Sequence, residues 1–383
     1  MGKKRSGNRK EGGRRVEQGP KQKGTPGILG AAVVLWAVLV LCLAGDQSRA
    51  APASAQAELD LPRTTAQVLE ETTVGKTVIP MGRAVGIKLF SDGVLVVGLS
   101  PVDTQQGEQY PGRDCGLKTG DVITHMDGDE VDTIEQVQQL LEEKGSQPVT
   151  IQAMRGQQQL QLTAAAVRNS QGVYQLGVWL RDSMAGIGTM TFYDPDSGVF
   201  AALGHGINDV DTAMLMPLES GSIMQATVAD VQKGVSGQPG ELHGQFDLKR
   251  DLGSLYANTD RGIFGQLSDT TMVQGLQEVE VADPKQVHTG AATILSNIQG
   301  DQVEEYEIQI THVSTEGDGT RSLMLQVTDP RLLQTTGGIV QGMSGSPILQ
   351  DGRLVGAVTH VLVNDPTRGY GIFAQTMCQA AGS

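Results

Sequence analysis

Aromatic side chains are scarce in this chain, 4% of 383 residues, and its three cysteines, Cys42, Cys115 and Cys378, stand far apart. So few thiols exclude a disulfide-stapled scaffold, and the absence of close Cys or His pairing excludes a zinc or redox motif. The acidic turn Asn208-Asp209-Val210-Asp211 lacks the ligand count of a calcium loop and reads as solvated. Neither a metal site nor a cofactor motif is found. Net positive charge is also lacking beyond residue 23. A tail of +7, with nine Lys or Arg against Glu11 and Glu17, sits in a chain of net charge −14, so the remainder carries −21. An acidic body excludes nucleic acid as a partner, because phosphate contacts need a basic face.

What the chain does have is glycine, 50 residues, and enough apolar side chains, 39%, to bury more than one core. That balance favours turn-rich β structure, with helix in the minority. From Ile28 to Ala44 seventeen residues run without a charge, close to the thickness of a bilayer core at about 1.5 Å per residue. The basic cluster before the run places residues 1–26 in the cytoplasm, makes 27–45 a transmembrane signal-anchor, and exports the rest of the chain. Ala53-Ser54-Ala55 and Ala55-Gln56-Ala57 are small-residue cleavage sites, which leaves a removable signal peptide as the alternative. Residues 46–80, mixing Ala, Gln, Thr and Pro with weak periodicity, read as a linker.

Between 81 and 168 short strands surround one helix. Asp132-Thr133-Ile134-Glu135 starts that helix as a capping box, and Ile134, Val137, Leu140 and Leu141 share a face. The run from Cys115 to Val131, with Gly120-Asp121-Val122-Ile123 at its centre, resembles the core of PDZ domains. A PDZ domain adds a peptide to a sheet edge and holds its carboxylate in a nest of N–H groups. By position the peptide-binding strand is Val85-Gly86-Ile87-Lys88-Leu89, with Gly86, Ile87 and Leu89 as candidates. The alternative is an edge strand without a ligand.

From 170 to 383 the chain is a series of short apolar strands broken by glycine, among them Gly188–Tyr193, Val199–Leu203, Val303–Val313, Leu323–Thr328 and Leu354–Val363. Near its end lies Gly342-Met343-Ser344-Gly345-Ser346-Pro347, followed by strand, Asp351-Gly352 turn and strand. Glycines around a serine leave Oγ uncrowded and let the N–H groups of Gly342 and Ser344 point at a developing oxyanion. A polar loop is the plainer alternative. The arrangement resembles the serine loop of chymotrypsin-like peptidases. Phe200-Ala201-Ala202-Leu203-Gly204-His205-Gly206 supplies a histidine at a strand end, flanked on both sides by glycine, as a general base. His125, His243, His288, His312 and His360 are rivals, with His360 the runner-up.

Leu176–Ser183, Gly186–Asp194, Leu203–Ile207 and Gly342–Ile348 together resemble the stage IV sporulation protein B peptidase family. The resemblance covers most of the chain from about Met81 and implies a membrane-associated serine peptidase that signals between the compartments of an endospore-forming cell. The expected fold is mainly β: a membrane segment, an α+β PDZ domain, then a chymotrypsin-like double β-barrel. Ser344 and His205 are the expected nucleophile and base. Asp329 is a third candidate, since it closes the strand Leu323–Thr328 before Pro330, and Val327-Thr328-Asp329-Pro330 matches the family's acid. Asp209 and Asp211 follow His205 closely, and an Asp that merely caps the turn at Pro330 is the alternative for Asp329. The resemblance implies as partners a membrane-bound regulator of an intramembrane metalloprotease, the chain's own linker as self-substrate, a peptide ligand for the PDZ domain, and the membrane. A tethered PDZ adaptor without activity is the competing function.

Overall fold

The computed structural model describes residues 75–316 and 319–382. The basic tail, the apolar run 27–45 and most of the 46–80 linker lie outside the described residues, and no helix among those described is long and apolar enough to cross a membrane.

The architecture is set by two long strands that each serve two bodies. β1 (Thr77–Leu99) leads into a smaller module built from β2 (Asp121–Met126), α1 (Ile134–Lys144), β3 (Pro148–Arg155) and β4 (Gln158–Ala165). β5 (Val178–Tyr193) leads back out. It is followed by β6 (Val199–Ala202), β7 (Ser220–Gln232), β8 (Glu241–Thr259) and β9 (Gly262–Leu267). These strands hydrogen-bond in the order β5-β6-β9-β8-β7-β1, and β1 pairs back onto β5, which closes a six-stranded barrel. Closure removes the free edges that an open sheet would expose.

A second closed barrel follows, formed by β10 (Gly290–Gln299), β11 (Gln302–Val313), β12 (Leu323–Val327), β13 (Pro347–Gln350), β14 (Arg353–Leu362) and β15 (Asp365–Phe373). Before β13 comes α2 (Pro330–Thr336), and after β15 comes α3 (Ala374–Ala380). Phe192, Val199, Ala201 and Phe264 of the first barrel pack against Leu354, Ala357, Ile372 and Met377 of the second barrel and α3. A seam of apolar side chains, all buried, fixes the two barrels against each other.

The expected boundary at Met81 is not where the pairing changes hands. Residues 77–80, read as linker, and Met81 to Phe90, read as PDZ, are barrel strand, because Ile79 to Phe90 pair with β5 and Val85 to Phe90 also with β7. A bulge between Phe90 and Leu95 breaks the register. There the N–H of Gly93 donates to Asp132 at 3.0 Å, and β1 passes into the module, where Val94 and Leu95 pair with β2. The module's helix begins one residue later than the expected Asp132…Glu135 box: Thr133 accepts from the Gln136 N–H while Gln136 reaches back to the Thr133 N–H. Val137 and Leu141 are buried against Ile123, Val149 and Ile151, and Asp121 is clamped by Arg155 through two bonds of 2.7 and 2.8 Å.

Candidate active site and peptide groove

A cavity of about 290 Å³ opens where the two barrels meet, lined by Ile87, Met184 to Ile187, Leu203, His205 to Asn208, Gln341, Gly342 and Ser344. His205 comes to it from the end of β6, and Ser344 from the loop before β13. The structure thus brings together two residues 139 positions apart, one from each barrel.

The serine loop is stitched to the first barrel by main chain. Thr189 of β5 donates its N–H to Ser344 O (3.0 Å) and its hydroxyl to Gly342 O (2.7 Å), while Gly345 donates to Val358 O (2.7 Å). Gly345 has φ +98°, and a Cβ there would lie 2.0 Å from Thr189 O, so only glycine fits this approach of two backbones. The N–H groups of Gly342 and Ser344 have no hydrogen-bond partner among the described residues, as donors awaiting an oxyanion require. Ser344 Oγ itself donates to Thr359 O at 2.7 Å.

His205 is held in the tautomer that a general base needs. Its Nδ1 lies 2.8 Å from Gly206 O. A carbonyl can only accept, so Nδ1 carries the proton and Nε2 keeps its lone pair. Burial pushes the imidazole below its ordinary range, opposed by the bond to Gly206. The flanking glycines are required by close neighbours: a Cβ at Gly206 would meet Thr259 O at 2.6 Å, and one at Gly204 would meet Thr359 Cγ2 and Ile372 Cγ2 at 2.9 Å. His360, the runner-up, stands beside it, ring centroids 5.0 Å apart.

The structure does not bring Asp329 to His205. Asp329 is the N-cap of α2: it accepts from Arg331 N–H (2.8 Å), from the Arg331 guanidinium (2.8 and 3.2 Å) and from Glu307 N–H (3.3 Å). The Arg331 hydrogen bonds hold its carboxyl down to about 2. These bonds occupy both oxygens, so the expected triad acid is instead a helix cap on the second barrel. Asp209 and Asp211 are taken up as well, both by Arg181. Asp209 further accepts from Thr212 and Asp211.

The expected PDZ-ligand residues also move to another role. Gly86, Ile87 and Leu89 pair on one side with Ile187, Gly186 and Met184, and on the other with Met224, Ile223 and Gly221. A strand bonded on both sides has no edge to offer a peptide. Ile87 instead walls the cavity beside Ser344. The module's groove, about 320 Å³, lies between α1 and the start of β5, where Ile134, Val137, Gln138 and Leu141 face Leu176 to Leu180. Val178 to Leu180 pair with β1 on one side only. The N–H groups of Leu176 and Gly177 have no partner among the described residues. The run Leu176-Gly177-Val178, a glycine leading into an apolar strand, was the sequence signal for this nest.

Comparison with known proteins gives this geometry a family. Residues 172–378, more than half of the chain, match the family of SpoIVB peptidase S55, and residues 102–155 match a PDZ domain. Among curated proteins none matches. Of solved structures, the PDZ domain of the SdrC-like protein from Listeria monocytogenes is similar at 23% identity, over 23% of this chain and 87% of that one, with a TM-score of 0.19. Rv3671c from M. tuberculosis H37Rv, solved as a serine-to-alanine mutant in an inactive form, is similar at 15% identity, over 51% of this chain and 80% of that one, with a TM-score of 0.28. The extent of the family match is decisive: the chain belongs to the SpoIVB peptidase S55 family and is a serine endopeptidase carrying a PDZ domain.

Proposed function

We propose that Ser344 is the nucleophile and His205 the general base of this endopeptidase, an assignment supported above all by their convergence, from different barrels, on one cavity. In this reading the Ser344 hydroxyl leaves Thr359 O by rotation about Cα–Cβ and gives its proton to His205 Nε2 as Oγ attacks the scissile carbonyl. The N–H groups of Gly342 and Ser344 then bond the oxyanion. His205 returns the proton to the leaving amine, and water repeats the cycle on the acyl-enzyme. The competing adaptor function would leave the unpartnered donors and the buried, correctly tautomeric histidine without a use.

The family resemblance supports a finer reading. The enzyme is anchored by residues 27–45 with its catalytic part outside the cytoplasm, cuts its own linker, and cleaves a membrane-bound regulator of an intramembrane metalloprotease during sporulation signalling. The groove between α1 and β5 takes an extended peptide or a protein C-terminus, and its occupancy controls cleavage. Because Thr77 to Pro80 belong to β1, self-cleavage falls between Asp46 and Lys76. The test is N-terminal sequencing of the released protein from wild type and Ser344→Ala. A start in 46–76 that disappears in the variant is expected, and an unchanged start would assign the cut to another peptidase.

A further inference from the structure

Main-chain groups along β5 leave an open edge beside the serine loop. Thr189 turns away from β1: its N–H donates to Ser344 O at 3.0 Å, and its carbonyl accepts the Leu203 N–H at 3.2 Å. These directions alternate along an antiparallel pair, and Ala84 to Phe90 face Thr189 to Ser183 without a bulge. Ile187, Ala185 and Ser183 therefore point outward, as Thr189 does. Phe90 gives the same phase from the other strand, since opposite Ser183 its carbonyl accepts the Glu219 N–H on the β7 side, 3.1 Å away. The N–H groups of Ile187, Ala185 and Ser183 have no partner among the described residues. Ile187 and Ala185 line the cavity that holds Ser344.

The edge continues into the groove. Both bulges beyond Phe90 put their extra residues on β1, so β5 runs from Ile187 back to Val178 without an insertion. Asp182 accepts the Ile134 N–H at 2.9 Å and ties this stretch to the start of α1. Just before Val178 lie the unpartnered N–H groups of Leu176 and Gly177, donors suited to a terminal carboxylate. A chain with its carboxylate there and its body on β5 runs antiparallel to the strand, toward the cavity. The residues it lays along the edge are then those that follow the scissile bond.

We infer that groove and cavity are two ends of one track along β5, which takes the C-terminal tail of a protein substrate and cuts it at a set distance from its end. The residue after the scissile bond faces Ile187, the first outward position beyond the serine loop, and the last residue faces Val178. That span is about 30 Å at 3.3 Å per residue, a tail of about ten residues. Hydrolysis is that of the peptidase: the water oxygen stays on the new carboxylate, and the tail leaves as the amine. The inference rests on the reading of Ser344 as nucleophile and of the groove as a peptide site. A tail held at one end meets the other end intramolecularly, which favours a length that matches the span over one too short to reach. An internal segment, such as the proposed self-cleavage site, uses the cavity alone.

The test uses the full-length chain and peptides that share one cleaved sequence and end between about four and twenty residues beyond it. We expect kcat/KM to peak near ten residues, about tenfold or more above the shortest tail, and amidation of the C-terminus to remove the gain. N-methylation separates strand addition from loose tethering. A methyl on a tail residue facing Ile187, Ala185 or Ser183 should cost about fivefold or more, and one on the residues between them less than about twofold. Equal kcat/KM at all lengths overturns the proposal, as does equal cleavage of acid and amide, or a methyl cost that does not alternate. The readings beneath it fail differently. A tail peptide that leaves Trp179, at the groove, unchanged in fluorescence removes the groove reading and the track with it, whereas full activity in Ser344→Ala removes the nucleophile. A tail that binds at Trp179 while its length has no effect on cleavage refutes the track alone.

Discussion

The hydroxyl of Ser344 rests on the carbonyl of Thr359, 2.7 Å away, while His205 lines the same cavity. The resting contact holds the proposed nucleophile on the second barrel, and attack requires it to turn toward the first. Removal of either partner should therefore abolish turnover without disturbing the fold. Ser344→Ala and His205→Ala are expected to lower kcat by at least about 10³-fold, with melting temperatures close to wild type. Single-turnover kinetics and a thermal melt check both halves of the expectation.

Asp329→Asn separates a helix cap from a catalytic acid. As the N-cap of α2 paired to Arg331, Asp329 contributes stability; the variant keeps a capping oxygen but loses the charge paired to Arg331, and should lose at most about 1 kcal/mol, while kcat stays within about threefold of wild type. A triad acid replaced in this way would cost about 10⁴-fold, because the base would be held in the wrong tautomer. The sign of the pH dependence is set by the same bonds. The folded carboxyl is held at about 2, below the unfolded value, so the contribution is complete above about pH 4 and disappears as pH falls through 2. Acid-melt curves of wild type and variant should converge there.

These corrections show where a single sequence is legible. Strands, the module's helix to within one residue of its cap, the Asp351-Gly352 hairpin and the glycine settings of Ser344 and His205 are local, written in neighbouring residues, and they appear in the fold. Partnership is not local. Nothing in Val85 to Leu89 distinguishes an edge strand from one bonded on both sides, because alternation and β-branching report burial rather than the identity of the neighbour. Asp329 posed the same difficulty: an Asp before Pro330 caps a helix or orients a base depending on which side chain the tertiary fold delivers to it, and the fold delivers Arg331.

The two imidazoles make both stability and activity respond to acid. Burial lowers His205 and His360 below the ordinary value near 6.5, His360 to about 4, so the unfolded chain binds more protons than the native one as pH falls below that ordinary value. Their contribution is fully present above about pH 6.5 and is lost as pH falls toward the folded values. His360 alone accounts for up to about 2 kcal/mol after discounting for its partial exposure, and His360→Gln should flatten the acid side of the stability profile. Activity should persist to lower pH than an ordinary histidine would allow, since burial disfavours the charged form of His205. A kcat/KM limb at or above the ordinary histidine value would contradict the burial seen here.

Gly186 offers a way to read substrate preference. It lines the cavity, and a Cβ built on it meets nothing within 4 Å, so a larger side chain occupies substrate space without straining the backbone. Ile87, Met184, Ile187, Leu203 and Ile207 make the surrounding wall apolar. Gly186→Leu should therefore lower kcat/KM for peptides with a bulky apolar residue beside the scissile bond by about tenfold or more, and affect those with alanine there by less than about threefold. Equal losses for both peptide sets would place the substrate side chain elsewhere.

One strand connects the module's groove to the cavity that holds Ser344 and His205. Val178 to Leu180 of β5 form one wall of the groove, and Met184 to Ile187 of the same strand wall the catalytic cavity, about 13 Å further along at 3.3 Å per residue. Between them Arg181 bonds Asp209 and Asp211 in the segment that follows His205. A peptide adding to β5 at Val178 to Leu180 orders the strand that holds both the cavity wall and the loop beyond the base, which is a physical route for the PDZ module to set activity. Trp179, 63% exposed at the groove, reports binding by fluorescence. A peptide with an apolar C-terminus should bind wild type and change kcat, and Ile134→Glu, which places a charge in the groove, should weaken that binding by about tenfold. Arg181→Ala supplies the decisive comparison. Trp179 should still report binding with the wild-type Kd, while kcat no longer responds to the peptide. If kcat in Arg181→Ala responds as fully as in wild type, the connection does not run through the Arg181 pairs, and the control of cleavage must act through another contact between module and barrels.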